Sequence, residues 1–378
     1  MTKTYEEINK KIKDGVAVIL TAEEMVELVE NEGVEYAAEE VDVVTTGTFG
    51  CMCSSGVFFN IPQPDPPIKM ETVVIDGINA YHGNAAADFY LGVTQTSSEN
   101  ENFGGGHVLE SLLRRKSVQI EVTGAGTDCY PRKSLNVRLK LKNFNQAIMI
   151  NPRNAYQRYV CAVNNSGEIL YTYMGKLLPN LQNGAYGGVG TMSPLNNDPT
   201  YQTIGLGTSI FLGGALGTII GPGTQHNPRS QMGNIMVTGN LKEMSPEFIA
   251  GAAISGYGSS CFIGLGIPIP IINEGLARTC GTPDSEIFTS VLDYSTRERE
   301  RPLLREVSYE ELKSRVIEIE GKQIPVSSTS SYAKSRQITK ILKKWSKQGV
   351  ISFRPPVLPL PRETEFKNLS QEDYEGNE

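Results

Sequence analysis

The sequence predicts a mixed α/β or α+β protein: a glycine-rich core, cysteine-bearing turns at sheet edges and a charged helical C-terminal subdomain. Three observations support this. Capping-box signatures of helices are interspersed with β-rich runs. Glycine supplies 38 of 378 residues, above the usual ~7%, while charged residues at 20% fall below the usual ~25%. Residues 199–228 and 248–273 carry no Asp, Glu, Lys or Arg, and the composition turns charged from about residue 297. Much glycine and little charge favour a core threaded by tight turns and argue against disorder. The chain divides accordingly into a main unit over 1–296, a charged helical part over 297–360 and an acidic tail over 361–378.

Two helices open the chain, where Thr4 with Glu7 and Thr21 with Glu24 have capping-box spacing, and Gly15 and Gly33 are natural stops. Val41–Thr45 is a β run leading into TTGTFGCMCSSGVFFN, whose glycines and hydroxyls suit a tight turn, and a proline-rich loop, IPQPDPPIKM, follows. Next come a strand at 72–75, a helix over 108–116, a strand at 118–123 and the turn GAGTDCYPRK. Residues 137–150 begin with strand-like alternation, and 159–163 with 169–174 flank an NNSG turn as a hairpin would. Ser245 as N-cap and Pro246 at the first helical position predict a helix over SPEFIAGAAISGYG. Ser308 with Glu311 opens another, and in SRQITKILKKWSKQG the residues Ile338, Ile341, Leu342 and Trp345 share one helical face with a solvated lysine face opposite.

Several function classes are excluded. A net charge of −7 and a pI near 5.3 argue against electrostatic nucleic-acid binding. The N-terminus MTKTYEEINKKIKDG has no signal-peptide core, so a cytoplasmic location is expected. The uncharged segments are broken by glycines and by Pro268 and Pro270, so they read as buried walls and not as membrane spans. Six cysteines (Cys51, Cys53, Cys129, Cys161, Cys261 and Cys280) in a cytosolic chain do not suggest a disulfide framework. There is no C-x-x-C, and His82, His107 and His226 form no H-E-x-x-H. Nucleotide and serine-hydrolase fingerprints are missing as well, so neither a metal nor a bound cofactor is expected.

Cysteine is the one strong nucleophile type in suggestive surroundings. Cys53 follows a β run and a glycine turn and precedes Ser54, Ser55 and Gly56, a setting where backbone N–H groups stabilise a thiolate. Cys129 follows a strand and a glycine turn, with Arg132 and Lys133 beside it to lower its pKa. Cys161 sits within a strand and reads as a small buried hydrophobe. Lys69 in PPIKM, Arg153 in NPRN, and His226 and Arg229 in GPGTQHNPR each place a polar head amid glycine and proline, as ligand-contacting loops do.

The ordered strings TTGTFGCMCSSGVFFN with DPPIKM, AYHGNAAADFYLGVTQ, EVTGAGTDCYPRK and FLGGALGTIIGPGTQHNP resemble the homocysteine-biosynthesis, sulfur-incorporation family of methanogenic archaea and anaerobic bacteria, over about residues 15–360. The resemblance implies a cytosolic enzyme that puts sulfur into aspartate semialdehyde to make homocysteine. It also implies that two cysteines carry the chemistry, at positions matching Cys53 and Cys129. The family pattern does not require Cys51. Longer relatives append CBS nucleotide-binding repeats; the sequence ends about where these would begin, so adenosyl-ligand regulation is not carried over.

Stoichiometry constrains the mechanism. An aldehyde and sulfide give a thiohemiacetal or thioaldehyde, and reaching the thiol takes two more electrons. A cysteine pair supplies two by closing into a disulfide, which an outside donor reopens. On this expectation one of Cys53 and Cys129 carries a persulfide, the two end bridged, and a ferredoxin-like iron–sulfur protein reduces them. A Cys51–Cys53 bridge is disfavoured because its ring is very small. The two turns must then meet in a pocket walled partly by 204–224 and 251–272. The substrate carboxylate calls for arginine, with Arg132, Arg153 and Arg229 as candidates. Two other readings compete: an iron–sulfur or metal protein using Cys51, Cys53 and Cys129 with Cys161 or Cys280, and a non-catalytic persulfide carrier. A family member drifted to another aldehyde or sulfur acceptor is a further alternative. A symmetric homo-oligomer is the ordinary expectation for assembly.

Overall fold

The structure is a computed structural model and describes residues 2–298, 300–364 and 369. Both opening helices start as the sequence predicts. In Tyr5–Lys13 and Ala22–Glu32, the hydroxyls of Thr4 and Thr21 accept from the backbone N–H of Glu7 and Glu24, and those carboxylates accept in return from the threonine N–H groups. Gly33, at φ 87°, ends the second helix in a conformation that favours glycine, and a short helix Val34–Glu40 follows.

The largest unit is a nine-stranded antiparallel sheet. Its order is Ile249–Ile254, Gly258–Gly266, Ser209–Leu212, Ala215–Pro222, Ile235–Asn240, Gln146–Asn154, Gly56–Asn60 and Phe89–Gly92, with Thr48–Cys51 pairing separately onto Gly258–Gly266. The uncharged segments thus supply adjacent strands of one sheet, and Ile210, Phe211, Leu212, Ile263 and Leu265 are fully buried in it. A four-stranded antiparallel sheet runs Ile78–Ala80, Thr72–Ile75, Ser117–Thr123, Ser134–Lys140. Among the described residues no helix is long and apolar enough to cross a membrane.

The helix Tyr332–Lys347 positions the strand that bears Cys51. Its apolar face, with Ile338 and Leu342 fully buried, packs with Phe49, Phe211 and Phe248. Gly264 and Gly266 make the close approach feasible, since a Cβ on either would lie 2.9 or 2.8 Å from Ile338. The Ser335 hydroxyl accepts from the Phe49 N–H at 3.1 Å and donates to the Ser331 carbonyl at 2.8 Å, pinning strand Thr48–Cys51 to the helix.

Three local expectations fail. The helix expected over 245–258 is instead a turn followed by strand Ile249–Ile254, which pairs along its whole length with Gly258–Gly266. Sheet pairing overrides the helical preference of its alanines. The hairpin expected across NNSG does not form: Cys161–Val163 pairs antiparallel with Gly184–Tyr186 and parallel with Phe288–Asp293, whereas Leu170–Thr172 pairs with Gly175–Leu177. The charged C-terminal stretch is not helical throughout. Leu303–Ser308, Val316–Ile319 and Lys322–Ser328 join a six-stranded sheet with Phe288–Asp293, Cys161–Val163 and Gly184–Tyr186, alongside helices Tyr309–Lys313 and Tyr332–Lys347. Most of the acidic tail lies outside the described residues.

Candidate active site

Cys51 closes strand Thr48–Cys51, opposite Phe262 in the antiparallel register. The chain then makes one further bond to the same neighbour, from the Met52 N–H to the Cys261 carbonyl at 2.8 Å, and turns, with the Ser55 N–H donating to the Met52 carbonyl. Residues two apart on an extended segment project to one side, so Cys53 returns to the face of Cys51. On the facing strand, Phe262 and Ser260 share that face and Cys261 points to the other, where it is fully buried. The Ser260 hydroxyl therefore meets both sulfurs, 2.9 Å from Cys51 Sγ and 3.0 Å from Cys53 Sγ, and the sulfurs stand 3.8 Å apart. Helix Gly105–Leu113 holds Ser260 from behind, its Gly106 so close that a Cβ would run into the Ser260 carbonyl.

This geometry separates the two thiols electrostatically. The Cys51 thiol beside it brings Cys53 down to about 6, helped by the Ser260 hydroxyl and the Cys53 backbone N–H and opposed by burial. Cys51 is pushed up, by its hydrogen bond to Cys53 and by burial. The first proton lost from the pair belongs to Cys53, the configuration of a nucleophilic thiolate with a protonated neighbour.

Both cysteines face a cavity of about 370 Å³, within the range of small-molecule sites. Much of the lining is aromatic: Tyr156 and Tyr159 meet edge-to-face at 4.8 Å, Tyr173 contacts Tyr159 and Tyr257, and the Tyr173 hydroxyl lies 2.7 Å from that of Tyr294. Burial raises Tyr156 to about 12 and Tyr159 further, so both stay protonated, the Tyr159 hydroxyl in a hydrogen bond with Tyr173. Arg153 also lines the cavity, its guanidinium 5.3 Å from the Tyr156 ring centre and its Nε buried without a partner. Its guanidinium also hydrogen-bonds the Tyr156 hydroxyl, and it is the one arginine among the described residues of the cavity lining, the side-chain type that suits a small carboxylate.

The remaining candidates lie elsewhere. Cys129 is exposed in the 124–133 connection between Ser117–Thr123 and Ser134–Lys140, and no residue of that connection lines the cavity. Arg132 binds the carbonyls of Asp65 and Pro66, which ties the Cys129 loop to the proline-rich loop carrying exposed Lys69, with exposed Lys133 beside it. Cys129, Arg132, Lys133 and Lys69 thus form one group, and Cys53 with Arg153 another. His226 is buried, with Nδ1 2.6 Å from the Asn234 carbonyl and Nε2 2.9 Å from that of Pro361; Arg229 pairs with Glu363 at the surface. Residues 204–224 do not line the cavity, and 251–272 contribute only Tyr257 to its lining. Cys161, Cys261 and Cys280 are buried and held protonated by desolvation. Among the described residues no three His, Cys, Asp or Glu gather as metal ligands.

The sequence did not single out Ser260, Tyr156, Tyr159, Tyr173 or Tyr257. Only the Y-Q-R-Y run at 156–159 hinted at the aromatic wall, while Ser260 reaches the cysteines through strand pairing that no local pattern encodes.

Two cysteines side by side at the wall of a small-molecule cavity suit thiol chemistry. Comparison with known proteins takes the assignment further. The chain belongs to the family described as homocysteine biosynthesis enzyme, sulfur-incorporation, which matches residues 17–353. It is 52% identical over 370 residues to an L-aspartate semialdehyde sulfurtransferase of Methanosarcina acetivorans, covering 98% of this chain and 74% of that protein. It is 48% identical over 363 residues to one of Methanocaldococcus jannaschii, covering 92% and 71%. An uncharacterised protein of Methanothermobacter thermautotrophicus is 28% identical over 322 residues, covering 82% and 72%. No solved structure matches. The chain is accordingly an enzyme of the sulfurtransferase class.

Proposed function

We propose that this enzyme makes homocysteine from L-aspartate semialdehyde and sulfide in the cytoplasm, with Cys53 as the nucleophile that handles the sulfur. The observation that carries the proposal is the pairing, in one cavity, of a Cys53 thiolate stabilised by Ser260 and Cys51 with an Arg153 guanidinium, beside Tyr156, as the partner for a carboxylate. Aspartate semialdehyde is small and carries a carboxylate, an ammonium and the reacting aldehyde. Arg153 anchors the carboxylate, and Tyr156 donates to the carbonyl oxygen as sulfide adds and water leaves. Reduction of the resulting thioaldehyde takes two electrons and two protons; the electrons come from protein thiols, which a ferredoxin-like iron–sulfur protein restores. Cys129, the second cysteine expected from the family pattern, lies on a loop that does not line the cavity, and its part in turnover rests on that pattern.

The test is anaerobic turnover of L-aspartate semialdehyde and sulfide by the purified chain with a chemical reductant, homocysteine being measured by mass spectrometry. Cys53→Ala and Cys129→Ala abolish product, and Cys161→Ala keeps most of it. A chain that passes persulfide sulfur to acceptors yet forms no homocysteine is a carrier, and the proposal fails.

A further inference from the structure

The geometry points to Cys51 as the thiol that closes a disulfide with Cys53 during the reduction, with Ser260 aligning the two sulfurs. This rests on the proposed sulfur-transfer reaction but can be tested apart from it. The sulfurs already stand 3.8 Å apart across a shared hydroxyl, at the cavity wall. Two residues of extended chain span at most about 7 Å between Cα atoms, so a bridge lies within or close to the separation of about 4.4–6.8 Å that disulfides adopt. The other thiols are badly placed: Cys161, Cys261 and Cys280 are buried, and Cys129 is exposed on a loop that does not line the cavity. The small ring of a C-x-C bridge favours this role. Strain raises the reduction potential of a disulfide, and a couple that must be reopened in every cycle needs to be easily reduced.

The steps balance. Sulfide adds to the aldehyde and water leaves, giving the thioaldehyde R–CH=S. The Cys53 thiolate attacks its sulfur, the C=S π bond breaks, and the carbon takes a proton, giving the mixed disulfide R–CH2–S–S–Cys53. Cys53 is now uncharged, so the anion that held Cys51 protonated has gone. Cys51, itself at the cavity wall, loses its proton to solvent there and attacks the Cys53 sulfur. The thiol R–CH2–SH leaves, and the Cys51–Cys53 disulfide forms. In sum, one aldehyde, one hydrogen sulfide and two cysteine thiols give one thiol, one disulfide and one water. The pair is oxidised by two electrons, the substrate carbon is reduced by two, and a dithiol or an iron–sulfur protein reopens the bridge.

The experiment has two arms on the full chain under anaerobic conditions. In the first, no substrate is present: the protein is equilibrated in dithiol/disulfide redox buffers, trapped by alkylation and mapped by peptide mass spectrometry. The expected result is a two-electron couple confined to the peptide bearing Cys51 and Cys53, intact in Cys129→Ser and lost in Cys51→Ser. A Cys53–Cys129 bridge, or no intramolecular bridge, overturns the proposal whatever the enzyme's substrate. In the second arm, pre-reduced protein meets sulfide and aspartate semialdehyde once. The wild type ends with Cys51 joined to Cys53, whereas Cys51→Ser retains homocysteine as a mixed disulfide on Cys53. Free product with both thiols still reduced overturns the electron path. A failure to make homocysteine while the first arm succeeds removes the proposed reaction and leaves the redox couple standing.

Discussion

Replacing Ser260 by alanine isolates the contribution of one hydroxyl to the reactivity of Cys53. The substitution removes a donor 3.0 Å from the sulfur and leaves the Cys51 thiol and the Cys53 backbone N–H in place. A hydrogen bond to a charged group contributes about 1.5–3 kcal/mol, and one pKa unit corresponds to ~1.4 kcal/mol. Cys53 therefore rises by about one to two units from its value of about 6. The sign is fixed by the chemistry: the thiolate is the nucleophile, so reactivity appears as pH rises through the pKa and is lost below it. At neutral pH the wild-type sulfur is mostly ionised, and in the variant about half of it or less is. The assay is the pH profile of iodoacetamide alkylation, resolved at Cys53 by fragmentation mass spectrometry so that exposed Cys129 does not contribute. A wild-type midpoint near that of an ordinary thiol, or a midpoint unmoved by Ser260→Ala, would refute the assignment of Ser260 as the thiolate's donor.

Three further outcomes are expected. Arg153→Ala raises KM for the aldehyde substrate by about 10- to 100-fold, the equivalent of losing a charged hydrogen bond of ~1.5–3 kcal/mol, with a much smaller change in kcat; steady-state kinetics with varied aldehyde checks it. Protein pre-reduced and supplied with both substrates but no donor makes about one homocysteine per chain and stops, and two thiols are then missing from the thiol count; sustained turnover would point to another electron source. Ile338→Ala costs about 2–5 kcal/mol in stability, because Ile338 is fully buried against the close-set Gly264 and Gly266, and a denaturant midpoint reads the loss.

What could be read in the sequence divides along physical lines. Capping boxes are local, closed within four residues, and Thr4–Glu7, Thr21–Glu24 and Ser308–Glu311 form as their spacing predicts. The amphipathic face of Tyr332–Lys347 was equally visible, since a period near 3.6 belongs to the helix itself. Strand pairing is different. Residues 249–254 carry alanines that suit a helix, and only Gly258–Gly266 alongside and helix Gly105–Leu113 packed above decide for a strand. Gly251 shows why: a Cβ there would press within 2.6 Å of the His107 backbone, so the position suits a residue lying flat beneath a crossing helix.

The site follows the same division, and this bears on its chemistry. Cys53 was recognisable because its turn is a local feature, and Arg153 because a cation amid glycine and proline stands out. The low pKa of Cys53 arises from neighbours that the sequence does not mark: Cys51 on the same face of the segment, and Ser260 more than two hundred residues away. A thiol pair two residues apart looks like an unfavourable ring when only the chain is considered. In the fold, strand Thr48–Cys51 is held by Ser335 at Phe49 and by Gly258–Gly266 along its other edge, so the two sulfurs are already side by side before any bond forms. Much of the entropic cost of closure is then met by the sheet, and what remains is bond-angle strain that makes the bridge easy to reopen.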